Sequence, residues 1–106
     1  MDNYEREFQL ILHAGDARSK AMLATEEARD GNFDLAEKLV AEAKESFKQA
    51  HKSQTSLIQA EAKGEKTELN ILLIHAQDHL SIALTSMDNA QEFISIYKVL
   101  HHNKLI

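Results

Sequence analysis

The sequence predicts an all-α fold, an antiparallel up-down-up bundle of three helices, and three observations carry that expectation. No proline occurs in the 106 residues and only three glycines do, so little interrupts a helix except where glycine stands. Ala, Glu, Lys, Leu and Gln are abundant, and these residues lose least on entering a helix. Apolar residues also recur at spacings of three and four over long stretches, which is the helical period.

The first helix is expected over about residues 3–30. Leu10, Ala14, Ala17, Ala21, Ala24 and Ala28 draw one narrow seam of mostly small side chains, suited to close antiparallel packing. Asp30-Gly31-Asn32 ends it, because glycine takes the left-handed conformation that closes a helix. Asn32 is the expected cap of a second helix over about 33–63, with Asp34 in its first turn near the positive helix end. Ala36, Val40, Ala43, Phe47, Ala50 and Leu57 continue the stripe there, while Gln54 interrupts it and calls for a polar partner.

Lys63-Gly64-Glu65-Lys66-Thr67 forms the second break, with Thr67 as expected cap of a third helix over about 67–101. That helix carries two apolar stripes. Leu69, Leu73, Ala76, Leu80, Ala83, Met87 and Ile94 face the first two helices, whereas Ile71, Ile74, Ile82, Phe93 and Ile96 project elsewhere. Asn70, Gln77, Ser81, Asp88 and Ser95 mark the water side. A three-helix bundle has one interior, so a helix with two apolar faces predicts self-association through the second. Residues 1–106 are expected to form one domain, with the short connections setting the up-down-up order.

Composition excludes several function classes. With no cysteine there is no thiolate metal site and no cysteine nucleophile, which leaves histidine and carboxylate chemistry. A net charge of -5, with scattered basic residues, disfavours nucleic acid as a partner. The opening segment MDNYEREFQL has no secretion-signal pattern, and no apolar run approaches the roughly 18 residues that cross a bilayer. A cytoplasmic protein without membrane insertion is the expectation.

The segment Ile74-His75-Ala76-Gln77-Asp78-His79-Leu80 is the most informative. His75, Asp78 and His79 stand three and four residues apart and so share one helical surface. Asp78 falls between Ile74 and Ile82 in the second stripe, where a buried carboxylate needs a partner. Copies meeting along that stripe would gather their Asp78 groups, and the repulsion would call for a proton or a hard cation such as Mg²⁺. His75 and His79 lie at its edge, and neutral imidazole is a competent nucleophile. A hydrogen-bonded pair or a solvated edge explains the same spacing. Ala76 after His75 leaves no Glu for the helical zinc-protease motif, and paired Glu-x-x-His repeats of di-iron bundles are absent. His13, His51, His101 and His102 are expected in surface or packing roles, His101-His102 as a solvated tail, and Met22 and Met87 in packing.

This segment resembles the active-site segment of the lactose/cellobiose-type IIA components of the sugar phosphotransferase system. The resemblance extends in order over nearly the whole chain: Ala14-Gly15-Asp16-Ala17-Arg18-Ser19, Gly31-Asn32-Phe33, and Ala50-His51-Lys52-Ser53-Gln54-Thr55 with Leu57-Ile58 are similar to the family's first helix, first turn and second helix. It departs at Ser81-Ile82, where a Met-Thr pair is common, and in the tail from Val99 to Ile106. The resemblance implies a homotrimer in which His75 accepts phosphoryl from phospho-HPr on Nε2. It also implies that His75 passes the group to a cysteine of the IIB component, which phosphorylates sugar entering through the IIC permease. Asp78 is implied as the axial carboxylate holding a divalent cation, Mg²⁺ by its hardness, shared between subunits, and His79 as a supporting neighbour shaping the phosphate pocket. The competing expectations are a noncatalytic or regulatory helical trimer with a structural metal ion, and a metal-storage bundle.

Overall fold

The computed structural model describes residues 4–106, so the expected start of the first helix at residue 3 lies outside the described residues. Three helices follow one another: α1 Glu5–Arg29, α2 Phe33–Ala62 and α3 Ile71–His102. They pack side by side into a rod of 57 × 24 × 19 Å. No helix among the described residues is long and apolar enough to cross a membrane.

The alanine seam makes α1 the central helix. Ala14, Ala17, Ala24 and Ala28 are fully buried, as are Ala36, Ala43 and Ala50 of α2 and Ala76 and Ala83 of α3. Methyl-sized contacts let backbones approach closely, and the larger side chains then fill the space at each end. Leu10, Leu57, Leu73, Leu80 and Met87 pack with the seam toward one end. Val40 and Ile94, backed by Phe33, Leu39 and Tyr97, form a second cluster at the other. Met22, expected in packing, is instead 52% exposed, because it stands beside the seam rather than on it.

The turn between α1 and α2 is locked from a distance. Gly31 has φ +85°, and the Asn32 amide donates to the Glu27 carbonyl at 2.8 Å, a left-handed closure that favours glycine. His101, from the far end of α3, meets this turn: its Nε2 lies 2.9 Å from the Arg29 carbonyl and its ring stands edge-on to Phe33 at 5.4 Å. A carbonyl only accepts, so Nε2 carries the proton. The expectation of a solvated His101-His102 tail therefore fails for His101 and holds for His102, which is exposed. Asn32 precedes α2 but makes no side-chain cap; its Nδ2 donates to Glu27 Oε2 at 2.8 Å instead.

The third helix starts later than its sequence suggests. Asn70, not Thr67, is the cap, its Oδ1 accepting from the Leu73 amide at 2.8 Å, and asparagine is among the best residues for that role. Thr67 donates its own amide to Glu61 Oε2 at 3.2 Å. Residues between Gly64 and Asn70 carry the chain from α2 to α3, which places Leu69 outside the helix at 75% exposure. Leu73 thus becomes the first core residue of α3.

Helices α1 and α2 are also joined by a polar contact. Ser46 Oγ donates to Asp16 Oδ2, and Lys20 lies 3.1 Å from the same oxygen and 3.8 Å from Glu42. The Ser46 hydrogen bond, partly opposed by burial and reinforced by Lys20, holds the Asp16 carboxyl below its ordinary value of 3.8. A depressed carboxyl contributes stability above its unfolded-state value and loses it as pH falls through the folded-state value. Asp16 is 43% exposed, so solvent screening keeps the contribution small. Ser46→Ala is expected to cost about 1 kcal/mol or less at neutral pH, and urea denaturation should show that gap narrowing once the pH drops below 3.8.

Candidate functional site

The Asn70 cap sets the rotation of α3, and the helical offsets bring His75, Asp78 and His79 to one surface about a turn from its start. His75 and Asp78 are exposed and His79 is half-buried. The two imidazoles touch: Nε2 of His75 lies 3.0 Å from Nε2 of His79, with ring centroids 4.5 Å apart and planes at 88°. One of these nitrogens donates and the other accepts. When His79 Nε2 carries the hydrogen, the lone pair of His75 Nε2 points at it and the His75 proton resides on Nδ1, the tautomer of a nucleophilic Nε2.

Asp78 does not join this pair. It lies on the second apolar stripe, flanked by Ile74 at 59% and Ile82 at 41% exposure. Among the described residues no group of three or more His, Asp or Glu side chains is arranged to hold a metal ion. One chain therefore presents one carboxylate, not a coordination shell.

The surroundings are shallow. A depression of about 480 Å³ around Ile71, Ile74, His75, Gln77, Asp78 and Ser81 takes in His75 and Asp78, with His79 outside its lining. An apolar groove of about 460 Å³, walled by Leu57, Ile58, Leu69 and Ile74 among others, adjoins it. Gln77, expected on the water side, is instead half-buried and bridges these two hollows. It accepts from Gln54 Nε2 at 2.5 Å, which supplies the partner that Gln54 required. Gln77 and Gln54 tie α2 to the turn of α3 bearing His75, and the break in the α2 stripe was the signal for that contact.

Residues 5–98 match the family model for the lactose/cellobiose-specific IIA subunit of the phosphotransferase system. The chain belongs to the lactose/cellobiose-specific IIA family. A lichenan-specific phosphotransferase IIA component of Bacillus subtilis is 50% identical over 91 residues, covering 86% of this chain and 83% of that protein. The cellobiose-specific enzyme IIA of Bacillus anthracis has the same fold, with a TM-score of 0.91 at 50% identity over 96% of this chain and 94% of that one. The IIA domain of the N,N′-diacetylchitobiose branch of Escherichia coli, solved in complex with HPr, superposes with a TM-score of 0.81 at 30% identity over 95% and 98% of the two chains. As a IIA domain, this chain is a component of phosphoryl relay in sugar uptake. Its surface agrees with that class: the histidine pair is open to another protein rather than enclosed for a small substrate.

Proposed function

We propose that this IIA domain is a bacterial cytoplasmic phosphohistidine carrier that takes phosphoryl from phospho-HPr on His75 Nε2 and hands it to a cysteine of IIB. IIB in turn serves a IIC permease importing a lactose-, cellobiose- or chitobiose-type sugar. The exposed His75 imidazole, touched by His79 through Nε2, is the observation that supports this reading in a member of the family. The solved complex of a relative with HPr supports the choice of donor.

The chemistry asked of the chain is modest. The lone pair of His75 Nε2 attacks phosphorus, the bond from phosphorus to the donor nitrogen breaks, and Nδ1 keeps its hydrogen. Attack requires His79 to release that lone pair. The freed His79 N–H then donates to a phosphoryl oxygen, a charge-assisted hydrogen bond that holds the group without burying it. Transfer onward reverses these steps, with the IIB thiolate as nucleophile. A shallow site suits this task because both partner proteins must reach the same nitrogen, and the adjoining apolar groove gives them a surface to dry.

Assembly belongs to the same proposal. Ile71, Ile74, Ile82, Phe93 and Ile96 leave an exposed apolar stripe on α3, and a homotrimer closing on it would bring the Asp78 carboxylates together. Oxygen ligands suit a hard divalent ion such as Mg²⁺, which would be structural and shared by the subunits. Asp78→Leu is expected to abolish retention of that ion while sedimentation shows association unchanged or tighter, since apolar contact replaces like-charge repulsion. Dissociation into monomers would contradict it. The direct test of function is incubation with phosphoenolpyruvate, enzyme I and HPr, with an acid-labile phosphate on the chain as the expected product. Failure to label would favour the noncatalytic or regulatory trimer, which predicts assembly without transfer.

A further inference from the structure

A cavity larger than the depression at His75 stands elsewhere on the molecule. It lies at the end of the bundle where the start of α1, the last turns of α2 and the connection into α3 meet, and its volume is about 680 Å³. It shares no residue with the depression around His75. Glu7 forms part of its wall. Glu7 is 2% exposed, the one buried charged residue among those described, and its Oε2 has no hydrogen-bond partner.

A carboxylate oxygen in that situation is costly unless a donor reaches it. Arg6 and Lys66 line the same cavity, yet among the described residues the ion pairs formed do not include Glu7. Both cations are exposed at the mouth, where charges of both signs stand in water. Neutral polar groups also line it: the half-buried Thr67 hydroxyl, the Asn70 amide, whose Oδ1 is already committed to capping α3 and whose Nδ2 remains, and the exposed Ser56 Oγ, which donates to the Lys52 carbonyl at 3.2 Å and keeps its lone pairs to accept.

We propose that this cavity is a binding site for a small hydroxylated amine, such as an amino sugar or amino alcohol, with its ammonium group seated on Glu7. An ammonium head offers three donors in a compact group and makes the charge-assisted bond that Oε2 lacks. Ser56, Thr67 and Asn70 give the hydroxyls of the ligand both acceptors and donors. The volume falls in the range of about 300–1,000 Å³ typical of small-molecule sites. A bare metal ion is a poorer occupant: it needs roughly six oxygen ligands converging within about 2.5 Å, and no three acidic or histidine side chains among the described residues are so arranged.

The test is a titration of the full-length chain followed by amide NMR shifts at constant ionic strength, with glucosamine, its neutral N-acetylated counterpart and MgCl₂ as separate probes. Glucosamine is expected to give saturable shifts at Glu7, Ser56 and Thr67, and the neutral probe to bind at least about tenfold more weakly. Glu7→Gln keeps the side-chain size and should weaken glucosamine to a similar degree. Should that variant not fold, Thr67→Val, a change in the rim of the cavity, carries the test with a severalfold loss. Absence of saturable shifts, equal binding of the neutral probe, wild-type affinity in the variants, or the same shifts with Mg²⁺ alone would each overturn the proposal.

Discussion

His75→Ala is expected to leave a chain that folds normally and takes up no phosphoryl group. The imidazole is exposed, and its one direct hydrogen-bond contact is His79, so its removal should alter stability by no more than about 0.5 kcal/mol. On the proposed mechanism the loss of transfer is nevertheless expected to be complete, because His75 Nε2 is the nitrogen that donor and acceptor both reach. His79→Ala is expected to behave differently. It removes a hydrogen-bond donor rather than the nucleophile, so label should still appear on His75 with a rate reduced by roughly 10²-fold, as for loss of one preorganised donor. Rapid-quench measurement of acid-labile phosphate separates these outcomes. Label retained by His75→Ala, on His79 in particular, would show that the roles of the two rings are assigned in the wrong order.

The second large effect is on stability. Leu10 is 1% exposed and is the largest fully buried side chain among the described residues. It belongs to the main core cluster together with Ala14, Ala17, Leu57, Leu73 and Ala76. Its neighbours along the seam are methyl groups with no freedom to swing into a vacated space, so Leu10→Ala should leave a cavity that relaxes little. A cost of about 3–5 kcal/mol is expected, a large share of the stability of a domain this size. Urea unfolding should show a lower midpoint with little change in slope. A cost below about 1 kcal/mol would mean that the alanine seam collapses around the gap, contrary to the close backbone packing described above.

Much of this architecture is legible in the sequence, for reasons that also explain the misses. Seam residues from Leu10 to Ala28 and from Ala36 to Leu57 are visible because periodicity reports which side of a helix is buried, and that side does not depend on distant residues. Asp78 between two isoleucines is visible for the same reason. What escapes depends on long-range geometry. Thr67 and Asn70 are both acceptable caps, and the choice falls to the length of chain needed to pass from α2 to α3, a distance that no local pattern contains. His101 looks like part of a tail until the end of α3 is placed against the turn at Gly31. Gln54 announced a missing partner without naming it, since Gln77 lies on another helix. Glu7 carried no warning, because a glutamate in the first turn of a helix is ordinary and its burial follows only from what surrounds it. The pairing of His75 with His79 was legible as proximity, but the meeting of two Nε2 atoms required the side chains.

The clamp of His101 on the first turn also makes the carrier convenient to observe at work. It fixes the far end of α3 roughly 39 Å from His75, taking 1.5 Å per helical residue, and the chain contains no cysteine. A single His102→Cys substitution, at an exposed position in the last turn of α3, would therefore accept one thiol-reactive dye per chain, remote from the His75 nitrogen at which the relay partners are proposed to meet. Docking of each partner could then be timed by energy transfer from a labelled donor protein, with the dye sitting on a rigid post instead of a loose end.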